Sequence, residues 1–269
     1  MDTAIQTHNQ RSAAVWSTGG VAYDEISRSL ASALEHCVCR IEPKPGERYL
    51  DLATGTGWTA RLLASRGAQV VGVDIAADLI SAARTIGQTQ GPQIIYEIGD
   101  AEKLRFADGE FDAVVSTFGV MFCSRPEVAA AEIARVCRKG GRLALTTWRP
   151  DSNVFEFFKV GRAYMPAPVD PPPPSPFAWG DRARIKDLFG DRFELGFEED
   201  ETTYYARNGE AAWEVFVAGY GPTKALAASL DEHRRGEFKR DLVALFGKFV
   251  GPLGIRMPRQ YLLTLGRRR

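Results

Sequence analysis

The sequence predicts an α/β fold built on a doubly wound, mostly parallel sheet, and three observations lead to this prediction. Short apolar runs rich in β-forming residues alternate with segments of helical spacing. A glycine turn at residues 54–57 follows the first apolar run, and an aspartate ends the second run. In open parallel sheets of this kind, a nucleotide-like ligand binds at the carboxyl ends of the strands, over the first turn.

The first strand–helix–strand unit carries the strongest local signal. We predict a strand at 49–52, a helix at 59–66 and a second strand at 70–73. Asp74 ends the second strand about 20 residues after the turn, where a carboxylate can accept hydrogen bonds from both hydroxyls of a ribose. Asp74 and the following Ile75 are therefore predicted to hold a ribose.

Two further acids distinguish the expected ligand from a dinucleotide. Asp51 precedes the glycine turn, where a carboxylate would repel a pyrophosphate but suits a ligand that carries an ammonium group. Asp100 follows a third apolar run at 94–98, where it can accept from an exocyclic amine while Ala101 leaves room for a flat ring. One acid for an amino-acid end, one for a ribose and one for an adenine together describe S-adenosylmethionine.

The sequence also resembles the class I S-adenosylmethionine-dependent methyltransferases, especially the small-molecule branch that is similar to the ubiquinone and menaquinone biosynthesis enzymes. The resemblance rests on five segments in the family's order, LDLATGTG at 50–57, VGVDI at 71–75, GDAEKL at 99–104, FDAVVSTF at 111–118 and RKGGRLAL at 138–145. It implies a Rossmann-like, mostly parallel seven-stranded sheet with an antiparallel C-terminal strand and helical cap elements. Ala53 departs from the pattern, because the family usually has glycine there. Alanine costs little unless that residue needs a positive φ.

The resemblance implies which residues form the cofactor and acceptor sites. The predicted cofactor-binding residues are Trp16, Tyr23, Asp51, Ala53, Thr54, Gly55, Gly57, Asp74, Ile75, Asp100, Ala101, Glu102, Thr117 and Phe118. In the family an N-terminal segment often folds over the cofactor, which is why the first two aromatic residues are included. The predicted acceptor-binding residues are Met121, Phe122 and Trp148. Packing in the protein core is the competing interpretation for Trp16 and for the aromatic residues Phe118 and Phe122.

The remaining elements follow from spacing and from turn residues. Apolar residues at helical intervals predict helices at 23–36, 76–87, 127–137, 153–164, 181–189, 209–219 and 223–249. Further strands are predicted at 111–117, 142–148, within 193–206 and at 256–265. The proline-rich segment 165–176 is predicted to be a stiff, extended crossing beside the acceptor pocket. The chain is accordingly divided into an N-terminal helical cap (1–45), a cofactor-binding core (46–150) and the remainder of the same domain (151–269).

The charge balance and the cysteine spacing argue against certain partners and metal sites. Lys and Arg total 34, as do Asp and Glu, so the formal net charge of the 269 residues is zero. A nucleic-acid enzyme normally carries a basic footprint, so no nucleic-acid partner is expected. The four cysteines contain no C-x-x-C pair, which predicts free thiols and no metal site. Without a signal sequence or an apolar span of about 20 residues, a cytoplasmic protein with no membrane span is expected.

The leading functional hypothesis is transfer of a methyl group from S-adenosylmethionine to a small, fairly apolar molecule. Such a displacement depends mainly on positioning, and it needs a base only when the acceptor atom starts protonated. None of the three histidines lies at a predicted strand end, so the sequence supports no histidine base, and a tyrosine, a carboxylate or no base remains open. The alternatives are a non-catalytic S-adenosylmethionine-binding protein and an NAD-dependent oxidoreductase.

Overall fold

The computed structural model describes residues 5–89, 93–167 and 172–269. Its strands are β1 (Arg48–Leu52), β2 (Gln69–Asp74), β3 (Ile95–Ile98), β4 (Phe111–Thr117), β5 (Cys137–Trp148), β6 (Phe193–Ala206), β7 (Val250–Gly251) and β8 (Gly254–Arg268). They form one sheet in the order β3-β2-β1-β4-β5-β8-β6, and the short β7 pairs with β8. Strands β1 to β5 pair in parallel, whereas β8 is antiparallel to both β5 and β6. The predicted α/β sheet with an antiparallel C-terminal strand is confirmed, with β7 added to the seven expected strands.

The helices cover both faces and one end of the sheet. They are α1 (Gln10–Ser17), α2 (Tyr23–Arg28), α3 (Ala31–Ile41), α4 (Trp58–Ala64), α5 (Ala77–Thr89), α6 (Pro126–Val136), α7 (Asn153–Tyr164), α8 (Arg182–Phe189), α9 (Gly209–Gly219), α10 (Gly221–Ser229) and α11 (Glu232–Gly247). Within the described residues no helix is both long and apolar enough to cross a bilayer.

Two predicted helices are each divided in the structure, so their predicted extents were wrong. The expected helix 223–249 is instead α10 followed by α11, because Leu230 and Asp231 are extended and the Asp231 carboxylate caps α11 by accepting from the Arg234 amide. An aspartate that can bond a nearby backbone amide favours this position over a helix interior. The expected helix 23–36 is likewise α2 and α3, with the break at Ser29 and Leu30.

Two apolar clusters hold the molecule together. The larger cluster lies on both faces of the parallel strands and includes Tyr49, Leu50 and Phe111 at 0% exposure. The smaller cluster joins α7, α9, α10 and α11 to the first half of β8 and the second half of β6. Since β8 contributes to both clusters, the C-terminal helices are fixed beside the carboxyl ends of β4 and β5.

The proline-rich segment lies only partly within the described residues, because 168–171 fall outside them. Pro172, Pro173 and Pro174 are exposed, and none of them lines the two cavities described below. The segment is followed by a short 3₁₀ helix whose Phe177 and Trp179 are buried. Phe177 packs against Phe158 of α7, with ring centroids 5.1 Å apart, and Phe158 lines the second of those cavities. The expectation that the prolines themselves lie beside an acceptor pocket stays a prediction.

Candidate active site

The turn after β1 depends on backbone conformations that glycine favours. Gly55 and Gly57 have φ values of +57° and +85°, and a side chain at Gly57 would collide with the Tyr96 ring. Ala53 also has a positive φ, +57°, although it is not glycine. The left-handed region costs an L-residue about 1–2 kcal/mol. Alanine was expected to cost little at position 53 only if that residue did not need a positive φ. The structure shows that it does, so Ala53 is strained. Gly119 accommodates this alanine, because a Cβ on Gly119 would lie 2.3 Å from the Ala53 Cβ.

Asp74 is the last residue of β2, and its carboxylate is hydrogen-bonded to the glycine turn that follows β1. Its Oδ2 accepts from the Gly55 amide at 2.8 Å, and its Oδ1 accepts from the Ala76 amide at 2.9 Å. The carboxylate is 7% exposed, and burial raises its pKa despite these two bonds. Asp74 therefore orders the glycine turn in addition to facing the cavity that it lines.

Asp100 is bonded to the N-terminal segment that covers the site. The side-chain amide of Asn9 donates to both of its carboxylate oxygens, at 3.2 and 3.0 Å, and the Gln6 amide donates at 3.0 Å. Asn9 in turn accepts from the Ser124 hydroxyl at 2.6 Å. These contacts hold residues 6–9 against the loop after β3 and the loop after β4.

Glu102 lies behind the cavity wall. Its carboxylate accepts from the Arg125 amide at 2.9 Å and lies 2.7 Å from the Nε2 atom of His8. It is 6% exposed and is not among the residues that line the cavity. In this structure Glu102 holds the N-terminal segment in place, and its predicted contact with adenine stays a prediction.

Asp51 is fully buried beneath the glycine turn. The Thr54 hydroxyl donates to its Oδ2 at 2.6 Å, and its Oδ1 has no hydrogen-bond partner among the described residues. Burial raises the pKa of Asp51 to about 7, and the Thr54 hydrogen bond opposes that rise. Thr54, which lines the cavity, separates this carboxylate from the open space.

Two adjoining cavities open at the carboxyl ends of the parallel strands. The first encloses about 920 Å³, part of it open to solvent, between the β1, β2 and β4 ends and the N-terminal segment. The second has a volume of about 580 Å³, part of it also open to solvent, beneath α7, α9 and α11. Five residues line both cavities and so form the boundary between them, namely Trp16, Tyr23, Leu30, Phe118 and Phe122.

Most of the predicted site residues meet at these cavities. Twelve of them line the first cavity, namely Trp16, Tyr23, Ala53, Thr54, Gly55, Asp74, Ile75, Asp100, Ala101, Thr117, Phe118 and Phe122. Trp148 lines the second cavity. Asp51, Gly57, Glu102 and Met121 line neither, and Met121 is instead packed in the larger core at 2% exposure.

The boundary between the cavities is aromatic. Phe118 stacks on Trp148, with ring centroids 3.9 Å apart and planes 24° apart, and holds a φ of +56° that is unusual for a bulky residue. Trp16 contacts Phe122 at 4.9 Å and Tyr220 at 5.4 Å between ring centroids. Trp16 thus packs against other residues and also lines both cavities.

Sequence reasoning missed several cavity residues. Asn9, Ser12 and Ser27 line the first cavity from the N-terminal segment, where the sequence offered only aromatic residues as a signal. Arg259 lines the second cavity from β8, and no motif in the sequence marks it. These residues reach the cavities only because the two ends of the chain fold against the same edge of the sheet.

Comparison with known proteins agrees with this geometry. A protein-family model described as a methyltransferase domain matches residues 50–145. Across 99% of its length the chain is 31% identical to uncharacterized protein Rv1405c of Mycobacterium tuberculosis, of which it covers 96%. It is also 38% identical to a demethylmenaquinone methyltransferase of Beutenbergia cavernae, over 43% of this chain and 48% of that protein.

This chain belongs to the same family as Rv1405c and is an S-adenosylmethionine-dependent methyltransferase. Solved structures share the fold of this methyltransferase. The YcgJ protein of Bacillus subtilis matches with a TM-score of 0.61 at 19% identity, covering 88% of this chain and 98% of that one. A putative methyltransferase of Bacillus halodurans matches with the same TM-score at 22% identity and the same coverage. The family membership favours methyl transfer over the oxidoreductase alternative.

Proposed function

We propose that the enzyme binds S-adenosylmethionine in the first cavity and transfers its methyl group to a small, largely apolar molecule held in the second. The observation that carries this proposal is the junction of the two cavities at an aromatic boundary. A cofactor whose sulfonium reached that boundary would present its methyl group to the second cavity. The methyltransferase then needs to hold donor and acceptor in line, which is the main source of catalysis in such a displacement.

The residues of the first cavity suit the three parts of S-adenosylmethionine. Asp74 and Ile75 lie at the end of β2 for the ribose, and Asp100 with Ala101 lies after β3 for the adenine. The turn after β1 and the residues Thr117 and Phe118 at the end of β4 lie beside each other and suit the methionine end. A related structure of phosphoethanolamine N-methyltransferase 2 from Haemonchus contortus, with a TM-score of 0.55, was solved with S-adenosylmethionine bound to a similar fold.

The second cavity suits a planar apolar acceptor. Its walls include Phe157, Phe158, Phe216 and Phe246. Small-molecule pockets in proteins are lined mostly by such apolar and aromatic side chains, with a few polar groups for orientation. Two of the relatives are named demethylmenaquinone methyltransferases, which supports a small-molecule acceptor for this enzyme as well.

No described residue that lines the second cavity is suited to act as a base at neutral pH. Burial raises the pKa of Tyr23, Tyr204 and Tyr220 above the ordinary tyrosine value, so these phenols stay protonated. The other titratable group of this cavity is Arg259, which is a cation. We therefore propose that the acceptor atom carries its own lone pair or ionises without help from a side chain.

Calorimetry with S-adenosylhomocysteine tests the first half of the proposal. We expect binding with micromolar-scale affinity, about −8 kcal/mol, and no comparable binding of NAD. Heat from NAD but none from S-adenosylhomocysteine would contradict the proposed cofactor.

A further inference from the structure

The second cavity contains one buried cation. Arg259 of β8 is 5% exposed, and its guanidinium lies over the rings of Trp148 and Tyr204, 5.7 and 5.4 Å from their centroids. Its remaining neighbours in the cavity wall are aliphatic or aromatic. A guanidinium in such surroundings loses most of its hydration, which is costly unless another group compensates for it.

The described residues compensate this charge only in part. Two N–H groups of Arg259 are directed to the carbonyl and the hydroxyl of Ser29, where α2 ends. The Nε–H group has no partner, and no described carboxylate forms a salt bridge with the guanidinium. Of the five donors that a guanidinium offers, three are therefore free of protein acceptors. Burial lowers the pKa of Arg259 to about 10, so the group is still charged at neutral pH.

The position of Arg259 places it on the acceptor side of the aromatic boundary. Phe118, which stacks on Trp148, lines both cavities, whereas Trp148 and Arg259 line only the second. The guanidinium lies over Trp148 and is therefore one ring removed from the boundary. A group bound to it would be held in the second cavity, close to an acceptor atom that reacts at the boundary.

We propose that the methyl acceptor is a planar aromatic carboxylate whose anionic group is bound by Arg259. This inference rests on the proposed function, and it adds the chemical class of the substrate. A carboxylate matches the planar array of donors on a guanidinium, and it would supply the acceptors that the free N–H groups lack. The surrounding rings would pack on the aromatic body of the acceptor.

A matched pair of probes tests the proposed charge recognition. Binding of 2-naphthoate and of 2-naphthamide, which differ in charge but hardly in shape, is measured by calorimetry in the presence of saturating S-adenosylhomocysteine. For the native enzyme we expect the carboxylate to bind at least tenfold more tightly than the amide. Equal affinities, or failure of naphthoate to bind at millimolar concentration, would overturn the proposal.

Substitution of the arginine separates recognition from structure. Arg259→Met should remove the preference for naphthoate and leave the affinity for S-adenosylhomocysteine within threefold. Arg256→Met is the matched control, because Arg256 is on the same strand but exposed, and it should keep the full preference. An unchanged preference in folded Arg259→Met would also overturn the proposal.

Two further measurements keep the test decisive. If Arg259→Met fails to fold, Arg259→Lys, which keeps the charge, should retain a preference for naphthoate of at least threefold, and loss of all preference would count against the inference. Failure of S-adenosylhomocysteine itself to bind the native enzyme would instead contradict the proposed function. The two failures are therefore distinguishable.

Discussion

At the scale of single residues, Ala53 and Phe118 both hold left-handed backbone conformations, at neighbouring strand ends that line the same cavity. Ala53 follows β1, and Phe118 follows β4, the neighbouring strand. Residues held in rare backbone regions occur mostly where the surrounding structure and the function require them. The strain at these positions is consistent with strand ends that are shaped to receive a ligand.

Ala53→Gly should stabilise the protein. Glycine adopts the positive φ without steric cost, although it also increases the entropy of the unfolded chain. We expect the free energy of unfolding to rise by up to about 1 kcal/mol, as measured by urea denaturation. Ala60→Gly in α4 is the control and should be destabilising, because Ala60 is helical and fully buried. A loss of stability in Ala53→Gly would show that the methyl group of Ala53 contributes packing that outweighs its strain.

Asp51 should make stability depend on pH. Its folded pKa of about 7 is above the unfolded value of 3.8, so between these values the folded state binds a proton that the unfolded state lacks. Stability should therefore fall as pH rises from about 4 to about 7, by on the order of 3 kcal/mol from this group. Asp51→Asn should flatten that part of the curve in denaturation experiments from pH 4 to 8. An equally steep curve in the variant would assign the dependence to other groups.

The same carboxyl should affect cofactor binding if it faces the ligand's ammonium group. Ionisation of Asp51 favours an ammonium, so S-adenosylhomocysteine should bind more tightly at pH 8 than at pH 6, by about tenfold for the loss of one charge pairing. The comparison ligand is 5′-methylthioadenosine, which lacks the amino-acid part and should show no such change. Parallel pH dependence for the two ligands would mean that Asp51 does not contact the methionine end.

At the scale of elements, the N-terminal segment contacts two parts of the molecule. It is hydrogen-bonded to Asp100, which lines the first cavity, and it packs closely against the C-terminal helices. Asn9 bonds Asp100, and the Thr18 hydroxyl donates to the Gly221 carbonyl at 3.2 Å. A Cβ on Gly219 would lie 2.4 Å from the Ala22 carbonyl oxygen, so this glycine permits the close approach. The segment therefore closes the first cavity and helps to shape the second.

Asn9→Ala should loosen this cover. The variant loses the bonds to Asp100 and Ser124 and leaves a buried carboxylate with fewer donors, which costs about 1–3 kcal/mol. Hydrogen exchange of peptides from α1 should become faster, while exchange in β1 and β4 changes little. Arg11→Ala, an exposed position on the same helix, is the control. Unchanged protection of α1 in Asn9→Ala would show that the remaining contacts of the segment, such as those of Gln6 with Asp100 and of His8 with Glu102, are enough to hold it.

At the scale of the whole molecule, the cofactor should link the N-terminal segment, the sheet and the C-terminal helices. Any ligand that binds only the folded state stabilises it, by about 2.7 kcal/mol at one hundred times its dissociation constant. Saturating S-adenosylhomocysteine should raise the melting temperature of the native enzyme in scanning calorimetry. In Asp74→Asn this rise should be much smaller at the same ligand concentration, because the ribose loses a charged acceptor. An equal rise in both proteins would remove Asp74 from the cofactor site.

Much of the sheet could be predicted from local sequence, and so could two of the acids at its edge. The strands β1, β2 and β4 are short, mostly buried apolar runs, so their positions follow from the sequence pattern. Asp74 ends β2 and Asp100 follows β3, and parallel pairing brings such strand ends to one edge of the sheet. Asp74 and Asp100 could therefore be named from the residues themselves, whereas Ala53 and Phe118 were named from the family resemblance.

The extents of several elements could not be predicted, because local alternatives are close in energy. The break between α10 and α11 depends on one capping aspartate within a segment of otherwise helical spacing. The strand β5 begins at Cys137 and not at the predicted residue 142, since its first residues pair with β4 across an irregular register at Phe111 and Ala113. The start of β5 is thus decided by its pairing with β4 and cannot be read from the residues of β5 alone.

The sequence by itself determined the class of fold and the order of the acids and glycines at the strand ends, and it predicted the kind of cofactor. Tertiary structure alone decided that Asn9 covers Asp100, that the Asp51–Thr54 pair is buried and that Arg259 enters an aromatic cavity. The first and third of these contacts join residues that are far apart in sequence, and the second is local but is buried by elements that are distant in sequence. Burial changes the energy of a charged group. The size of that change depends on neighbouring groups that only the folded chain provides.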